Sequence, residues 1–373
     1  MELGPRHKGL LRHLWHAGAA SRSELAARLA LRPNTVGELT ASLVEAQVLR
    51  EGEPDTKRVG RPRIPLDLDP EGRQVLGVAI SPGQAEAVAL NLLGEPRSSK
   101  VTTRFPTSGP VDPIAETREL IAPLLGPQAL SMGLTVTGFI DEESRQILFS
   151  SVLPLAESIS LEPLWQAAGD TSVAVGNDMH ATAARWFTAH NEPQEDILLV
   201  QFGDTSLGAA YLVEGRLCRG SIHSANELGH SRFMAPTHIC YCGQTGCLEQ
   251  ICGTDFLHHL DQELSTGLKG DLGERVAGFS ASGQDPALDR VLDYLVLGIS
   301  NAVNFCRPHR LVLTSSLPDH QPLTEHLSER VSATVLPALR DRLSVETWNS
   351  PTESGAETAA WLALTGLFCD GWD

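Results

Sequence analysis

The sequence predicts an α/β protein preceded by a small domain of different character, and three observations carry that prediction. From residue 73 onward, apolar runs of strand length alternate with helical patterns. The first 70 residues hold three short helical repeats and then two brief apolar runs around a basic tip. Charge divides at the same place. Residues 1–70 contain 11 Lys and Arg against 9 Asp and Glu, a balance of +2, so of the total of −17 the rest of the chain carries −19.

In the N-terminal segment, Leu10, Leu11, Leu14 and Trp15 share one helical face, and Gly18 closes that helix. Ser21 and Glu24 fit a capping box for a second helix whose buried stripe is Leu25 and Leu29. Pro33 suits the first position of a third helix, with Val36, Leu39 and Leu43 facing inward. Two short strands, Val48 to Arg50 and Ile64 to Leu68, flank the tip from Lys57 to Arg63. Three helices and a hairpin of this kind form a winged helix-turn-helix domain over residues 1–72. Asn34, Thr35, Glu38 and Ser42 then face outward toward base edges, Arg32 reaches phosphate, and Arg61 and Arg63 suit a minor groove. A protein-contact role for the same domain is the blander reading, and the concentration of positive charge at the wing favours double-stranded DNA.

The larger segment offers candidate strands at Val75 to Ile80, Ser131 to Val136, Ser172 to Val175, Ile197 to Phe202 and Leu311 to Thr314. Hydrophobic residues make up 42% and charged residues 20%, which excludes a disordered chain. No apolar stretch approaches the ~20 residues of a membrane span, and the polar N-terminus is not a signal peptide, so a cytoplasmic location is expected.

Seven cysteines, four of them between Cys240 and Cys252, suit a reducing compartment. His230, Cys240, Cys242 and Cys247 supply one imidazole and three thiolates, a closed tetrahedral set for a structural Zn²⁺ without an open coordination site. C-x-C is less diagnostic than C-x-x-C, and buried free thiols are the competing interpretation.

The stretch from Asn226 to His230 together with Cys240 to Glu249 resembles the signature of the ROK family of repressors, open reading frames and kinases. Further landmarks fall in the same order: Asn177-Asp178, Gly203 to Gly208, Asn301 to Phe305 before Pro308, and Gly355-Ala356. The resemblance implies a two-lobed, actin-like (ribonuclease H-like) ATPase fold over residues 73–373. Lobe one covers about 73–185 with a C-terminal helix at 355–373, and lobe two about 186–354, with a sugar or sugar phosphate held between them. It also implies that Asn177, Glu227, His230 and Glu249 hold sugar hydroxyls, that Asp178 matches the catalytic base of the kinases, and that the chain forms a homodimer or homotetramer. Without the resemblance, Asn177 or Asp178 simply caps the helix from Met179 to Trp186, and Glu227 and Glu249 are ordinary surface acids.

Three elements depart from a kinase. The first phosphate loop reads Ala79-Ile80-Ser81-Pro82-Gly83, without its Asp and with a proline that removes a backbone donor. Asp204-Thr205-Ser206 places a carboxylate in the second, and Thr314-Ser315 replaces a glycine pair near the adenosine. The sequence therefore predicts a sugar-responsive transcription regulator, a repressor of carbohydrate genes, with no ATP bound and Asp178 a vestigial base. The alternatives are an ATP-dependent sugar kinase with a fused DNA-binding domain, or a zinc-stabilised scaffold that answers to a protein partner. Val152, where the family more often carries Asn, leaves the sugar unspecified.

Overall fold

The computed structural model describes residues 3–54, 63–109, 112–150, 153, 155, 157–191, 194–204, 206–220, 226–235, 238–279, 285–350, 354–369 and 371–372. They group into two compact units, Met1–Asn191 with Glu353–Asp373, and Glu192–Thr352.

The first unit begins with α1 (Pro5–Ala17), β1 (Ala20–Ser21), α2 (Arg22–Arg28), α3 (Pro33–Glu45), β2 (Leu49–Glu51) and β3 (Pro65–Leu68). Gly18, at φ 73°, ends α1. Both halves of the Ser21–Glu24 capping box form, and Pro33 opens α3. The strands make an antiparallel sheet in the order β1-β3-β2, completing the element order of a winged helix-turn-helix. Interior positions differ from the sequence expectation at Leu29, which is only half-buried at the end of α2, and in α3. Leu39 is only half-buried, while Thr40 is fully buried, accepts from Arg22 Nε at 2.9 Å and donates to the Val36 carbonyl at 2.8 Å. A hydroxyl that returns its proton to its own helix can be buried like an apolar side chain, which a periodicity count of apolar residues does not register.

The same unit continues through β4 (Gln74–Ser81), β5 (Gln84–Asn91), β6 (Val101–Arg104), α4 (Ile114–Ile121), β7 (Ala129–Val136), β8 (Phe139–Asp141), β9 (Gln146–Phe149), β10 (Ile159–Ser160), α5 (Glu162–Ala168), β11 (Ser172–Gly176) and α6 (Asp178–Ala189). A five-stranded sheet runs β11-β7-β4-β5-β6, parallel across β11, β7 and β4 and antiparallel beyond. The C-terminal helix, Gly355–Phe368, lies against this sheet. Gly77 and Gly133 are parallel partners on β4 and β7. A Cβ at Gly77 would stand 1.8 Å from the Ala356 carbonyl oxygen, and one at Gly133 would stand 1.9 Å from that of Ala359. The helix backbone therefore rests directly on two glycines.

That helix also receives α1. The Trp15 ring stacks on Trp361 at 6.2 Å and meets Phe368 edge-on at 4.5 Å, while Arg185 of α6 lies over the Trp361 ring, 4.4 Å from its centre. Trp15, placed with the α1 core by its spacing, is only half-buried and serves as a docking residue. Leu10, Leu11 and Leu14 alone make the buried face of α1.

The second unit contains β12 (Ile197–Phe202), β13 (Leu207–Val213), β14 (Arg216–Leu217), a 3₁₀ turn at Leu228–His230, α7 (Leu248–Ile251), α8 (Thr254–Leu264), α9 (Leu272–Ala277), α10 (Pro286–Cys306), β15 (Arg310–Ser315), α11 (Gln321–Thr334), α12 (Pro337–Arg340) and β16 (Ser344–Thr347). Its sheet runs β14-β13-β12-β15-β16, with β12, β15 and β16 parallel. The apolar side of α10, including Val291, Leu295, Ile299 and Val303, packs with β12, β13 and β15 in one core. Among the described residues no helix is long and apolar enough to cross a membrane.

Candidate functional site

The second unit brings four predicted metal ligands together. The donor atoms of His230, Cys240, Cys242 and Cys247 all lie within 4.8 Å of one another. Cys242 Sγ is 3.5 Å from Cys247 Sγ, and Cys240 Sγ is 3.9 Å from His230 Nδ1. Four donors about 2.0–2.3 Å from a common tetrahedral centre stand roughly 3.4–3.8 Å apart, so the set fits one ion of zinc size.

Local chain geometry explains the clustering. Gly246 is at φ 78°, and a Cβ there would stand 2.1 Å from the Phe233 carbonyl oxygen, so glycine is required. The loop closes on itself through Cys240 N–H to Gln244 O at 2.7 Å and is joined to the segment after His230 through Phe233 N–H to Gly246 O at 2.7 Å. Burial raises the Cys240 thiol above its ordinary range. Burial and hydrogen bonds with the neighbouring thiols push Cys247 up to about 12. Thiols held protonated this firmly release protons when a dication enters, which makes metal uptake pH-dependent. His230 Nε2 faces the opposite way, 3.8 Å from Glu227 Oε2, so the imidazole links the cluster to one predicted sugar ligand.

Another predicted sugar ligand is tied to the same loop. Glu249, 8% exposed, accepts a hydrogen bond from the Tyr241 hydroxyl, and its Oε2 accepts from Leu207 N–H at 3.3 Å. Tyr241 stands edge-on to His230, with ring centres 5.3 Å apart. Sequence reasoning passed over Tyr241 because the residue between two cysteine ligands carries no pattern of its own. Glu227 lines a cavity of about 450 Å³ with Asn226, Ser231, Asn301 and Phe305, a volume within the range of small-molecule sites.

Asn177 and Asp178 belong to the first unit. Asn177 is the N-cap of α6, its Oδ1 accepting from His180 N–H at 2.9 Å. Asp178 Oδ1 accepts from Met179 N–H at 3.0 Å. Crowding by protein raises the Asp178 carboxyl above the usual carboxylate range even though its side chain stays open to solvent.

In the three elements that depart from a kinase, Ser81, Asp204 and Ser315 are tied into the fold, whereas the Thr314 hydroxyl is buried without a hydrogen-bond partner. Ser81 pairs with Gln84 across a two-residue Pro82–Gly83 turn, and a Cβ at Gly83 would stand 2.6 Å from Thr107 Cγ2. After β12, Gly203 N–H donates to Ser206 O at 2.7 Å, and Asp204 accepts from the Thr254 hydroxyl at the start of α8. Thr254 Oγ1 itself accepts from Leu272 N–H at 2.9 Å. Ser315 donates through its hydroxyl to Phe202 O at 2.7 Å and accepts from Leu317 N–H at 3.1 Å.

On the N-terminal domain, Arg32, Asn34, Glu38 and Ser42 are exposed along α3 and Thr35 is half-exposed. Ser42 donates to Leu39 O at 2.9 Å, and Arg63 pairs with Glu24 at 3.3 Å. Arg61, like Val152, lies outside the described residues.

Fold and cluster together define an α/β protein with the actin-like architecture of sugar kinases and an added N-terminal domain. The ROK family model matches residues 82–365, and the chain belongs to the ROK family. It is 24% identical to the DNA-binding transcriptional repressor Mlc of Escherichia coli K12, over 91% of this chain and 88% of that protein. It is 25% identical to the xylose repressor of Caldicellulosiruptor bescii, over 62% of this chain, and spans 59% of that repressor's length. The N-acetyl-D-glucosamine kinase of Salmonella newport is also 25% identical, over 74% of this chain and 96% of the kinase. Among solved structures, a ROK family transcriptional regulator homologous to E. coli Mlc matches with a TM-score of 0.78 at 20% identity, covering 97% of this chain and 96% of that one. A ROK glucokinase from Streptomyces griseus, solved with glucose and AMPPNP, matches at 0.58 and 18% identity, covering 78% of this chain and 99% of the kinase. The family thus holds both regulators and kinases.

Proposed function

We propose that this chain is a sugar-responsive, DNA-binding transcription regulator, a repressor of carbohydrate-metabolism genes, whose kinase-like body binds ligand without transferring phosphate. The observation that carries this reading is the joint state of the three phosphate-side elements. Each is folded into a turn or strand end held by the protein itself: the Pro82–Gly83 turn between paired Ser81 and Gln84, Asp204 on Thr254, and Ser315 between Phe202 and Leu317. A triphosphate brought against Asp204 meets like charge, costing about 4 kcal/mol at ~4 Å in a partly screened site.

In this reading residues 1–72 bind an operator through Arg32, Asn34, Thr35, Glu38, Ser42, Arg61 and Arg63. Residues 73–373 take up a sugar through Asn177, Asp178, Glu227, His230 and Glu249, and Zn²⁺ on His230, Cys240, Cys242 and Cys247 holds the loop that carries Tyr241. The ligand acts by its differential affinity for DNA-competent and DNA-released states. A homodimer or homotetramer in the cytoplasm matches the two-fold operators that such domains read. A repressor relative that matches over 91% of this chain supports this choice.

Sequencing the genomic fragments that the protein retains, with and without a panel of sugars, tests the proposal. Specific fragments released by a sugar are expected, and indifference to every sugar refutes ligand control. A second reading, sugar kinase, is favoured by the retained Asp178 and by the kinase relatives. ADP release with ATP, Mg²⁺ and hexoses is expected to be nil, and turnover lost in Asp178→Asn would establish the kinase instead.

A further inference from the structure

A second concave site lies at the opposite end of the β12/β15 pair from the turn that carries Asp204. It encloses about 520 Å³ and is lined by Asp196, Arg307, His309, Leu339, Arg342 and Leu343 among others. Asp196 and His309 stand immediately before β12 and β15, whereas Gly203 and Ser316 follow the same strands. At about 3.3 Å per residue, the six-residue strands separate the two ends by roughly 17–20 Å.

Its charge is unusual for its surroundings. Residues 192–352 hold 11 Lys and Arg against 20 Asp and Glu, a balance of −9, yet two arginines and a histidine line this cavity. Arg310, beside it, is engaged with Glu195 and Glu346, and Arg340 caps the end of α11 through the Val335 and Ala333 carbonyls. Arg307 and Arg342 have no carboxylate partner among the described residues. Asp196, the one acid in the lining, is already used: Oδ1 accepts from Glu214 N–H at 2.9 Å and Oδ2 faces His309 Nδ1 at 3.8 Å.

The rim is rigid. Arg307 is held at φ 53° as the C-cap of α10, its N–H bonded to Val303 O at 2.8 Å. His309 and Arg310 N–H both donate to Asp196 O, and Ser344 N–H donates to His309 O at 2.9 Å. Leu339 and Leu343 supply an apolar floor.

We infer that this cavity binds a phosphorylated small metabolite, its phosphate between Arg307 and Arg342 and its carbon skeleton on Leu339 and Leu343. A bidentate guanidinium suits a phosphate dianion, and the floor favours an organic phosphate over the bare ion. The site is independent of the sugar groups and of the Asp204 turn.

Calorimetric titration of the full-length protein at constant ionic strength tests the inference, with glucose 6-phosphate, inorganic phosphate and glucose as probes. Glucose 6-phosphate is expected to bind more tightly than inorganic phosphate. The double variant Arg307→Gln/Arg342→Gln is expected to weaken both by at least about tenfold, while Arg290→Gln, an exposed arginine of α10 outside the lining, leaves phosphate binding unchanged. Both arginines are exposed, so the variant should fold. No phosphate binding, equal binding of the two phosphates, or binding insensitive to the arginine variant overturns the inference. If Glu249→Gln abolishes glucose 6-phosphate binding and the arginine variant does not, the ligand sits in the proposed sugar site; that outcome also overturns it while leaving sugar sensing intact.

Discussion

Replacing Trp15 by alanine should loosen the N-terminal domain from the body without unfolding either. The indole is half-buried, so about 100 Å² of contact at ~25 cal/mol per Å² is worth roughly 2.5 kcal/mol. Its two aromatic partners, Trp361 at 6.2 Å and Phe368 at 4.5 Å, add about 0.5–1.5 kcal/mol each. Allowing for a denatured state that is not fully extended, about 3 kcal/mol of docking is lost. Leu10, Leu11 and Leu14 still close the core of α1, so the damage is local. Hydrogen–deuterium exchange reads this directly: 3 kcal/mol is roughly a 100-fold gain in exchange for amides of α1 that open by undocking. Trp15→Phe should recover much of the protection. Unchanged exchange in both α1 and the C-terminal helix would show that the ring contacts do not hold the domain and would refute the reasoning.

One divalent ion per chain is expected by elemental analysis, and chelation or Cys247→Ser should lower the melting temperature of the second unit. Zinc competition assays should show affinity falling at least about tenfold for each pH unit lost below neutrality, because the thiols of Cys240 and Cys247 are held protonated when metal-free and each ion displaces at least one proton. Gly133→Ala should cost about 2–3 kcal/mol by pushing the C-terminal helix off the sheet. For a unit of this size that is a fall of roughly 4–12 °C by calorimetry, whereas Gly126→Ala, with nothing near its Cβ, should change little. Burial works to raise the Asp261 carboxyl, but hydrogen bonds from Arg275 and Thr266 hold it below its usual range. The stability it contributes is therefore present above its unfolded value and lost as pH falls through the lowered folded one. Asp261→Asn should cost about 3 kcal/mol at neutral pH, and the gap to wild type should close in urea titrations run below about pH 4.

What the sequence made legible was whatever a local rule governs. Ser21 with Glu24, Pro33 and Gly18 marked the helix ends because caps are satisfied within four residues. His230 and the three cysteines were legible as a candidate ligand set because the family signature contains them, although their spacing alone left buried free thiols open. The missed features depend on distant partners. Tyr241 matters through Glu249, Thr254 through Asp204, and Trp15 through Trp361, far away in the chain. β5 was passed over because Gln84–Asn91 is buried on both faces except for its first residue, so its small apolar residues show no alternation. Glu86 in that strand is tolerated there through its pair with Lys100 at 2.7 Å.

The hydrogen bond between Thr254 and Asp204 has a consequence for redesign. A carboxylate that only occupied space could be exchanged freely. Asp204 has dependants: Thr254 turns toward it and in turn receives Leu272 N–H, so the starts of α8 and α9 lean on it. Exchanging Asp204 alone would strand a hydroxyl and loosen two helices before any phosphate was gained. Such a contact works as a ratchet against single-step change at this turn.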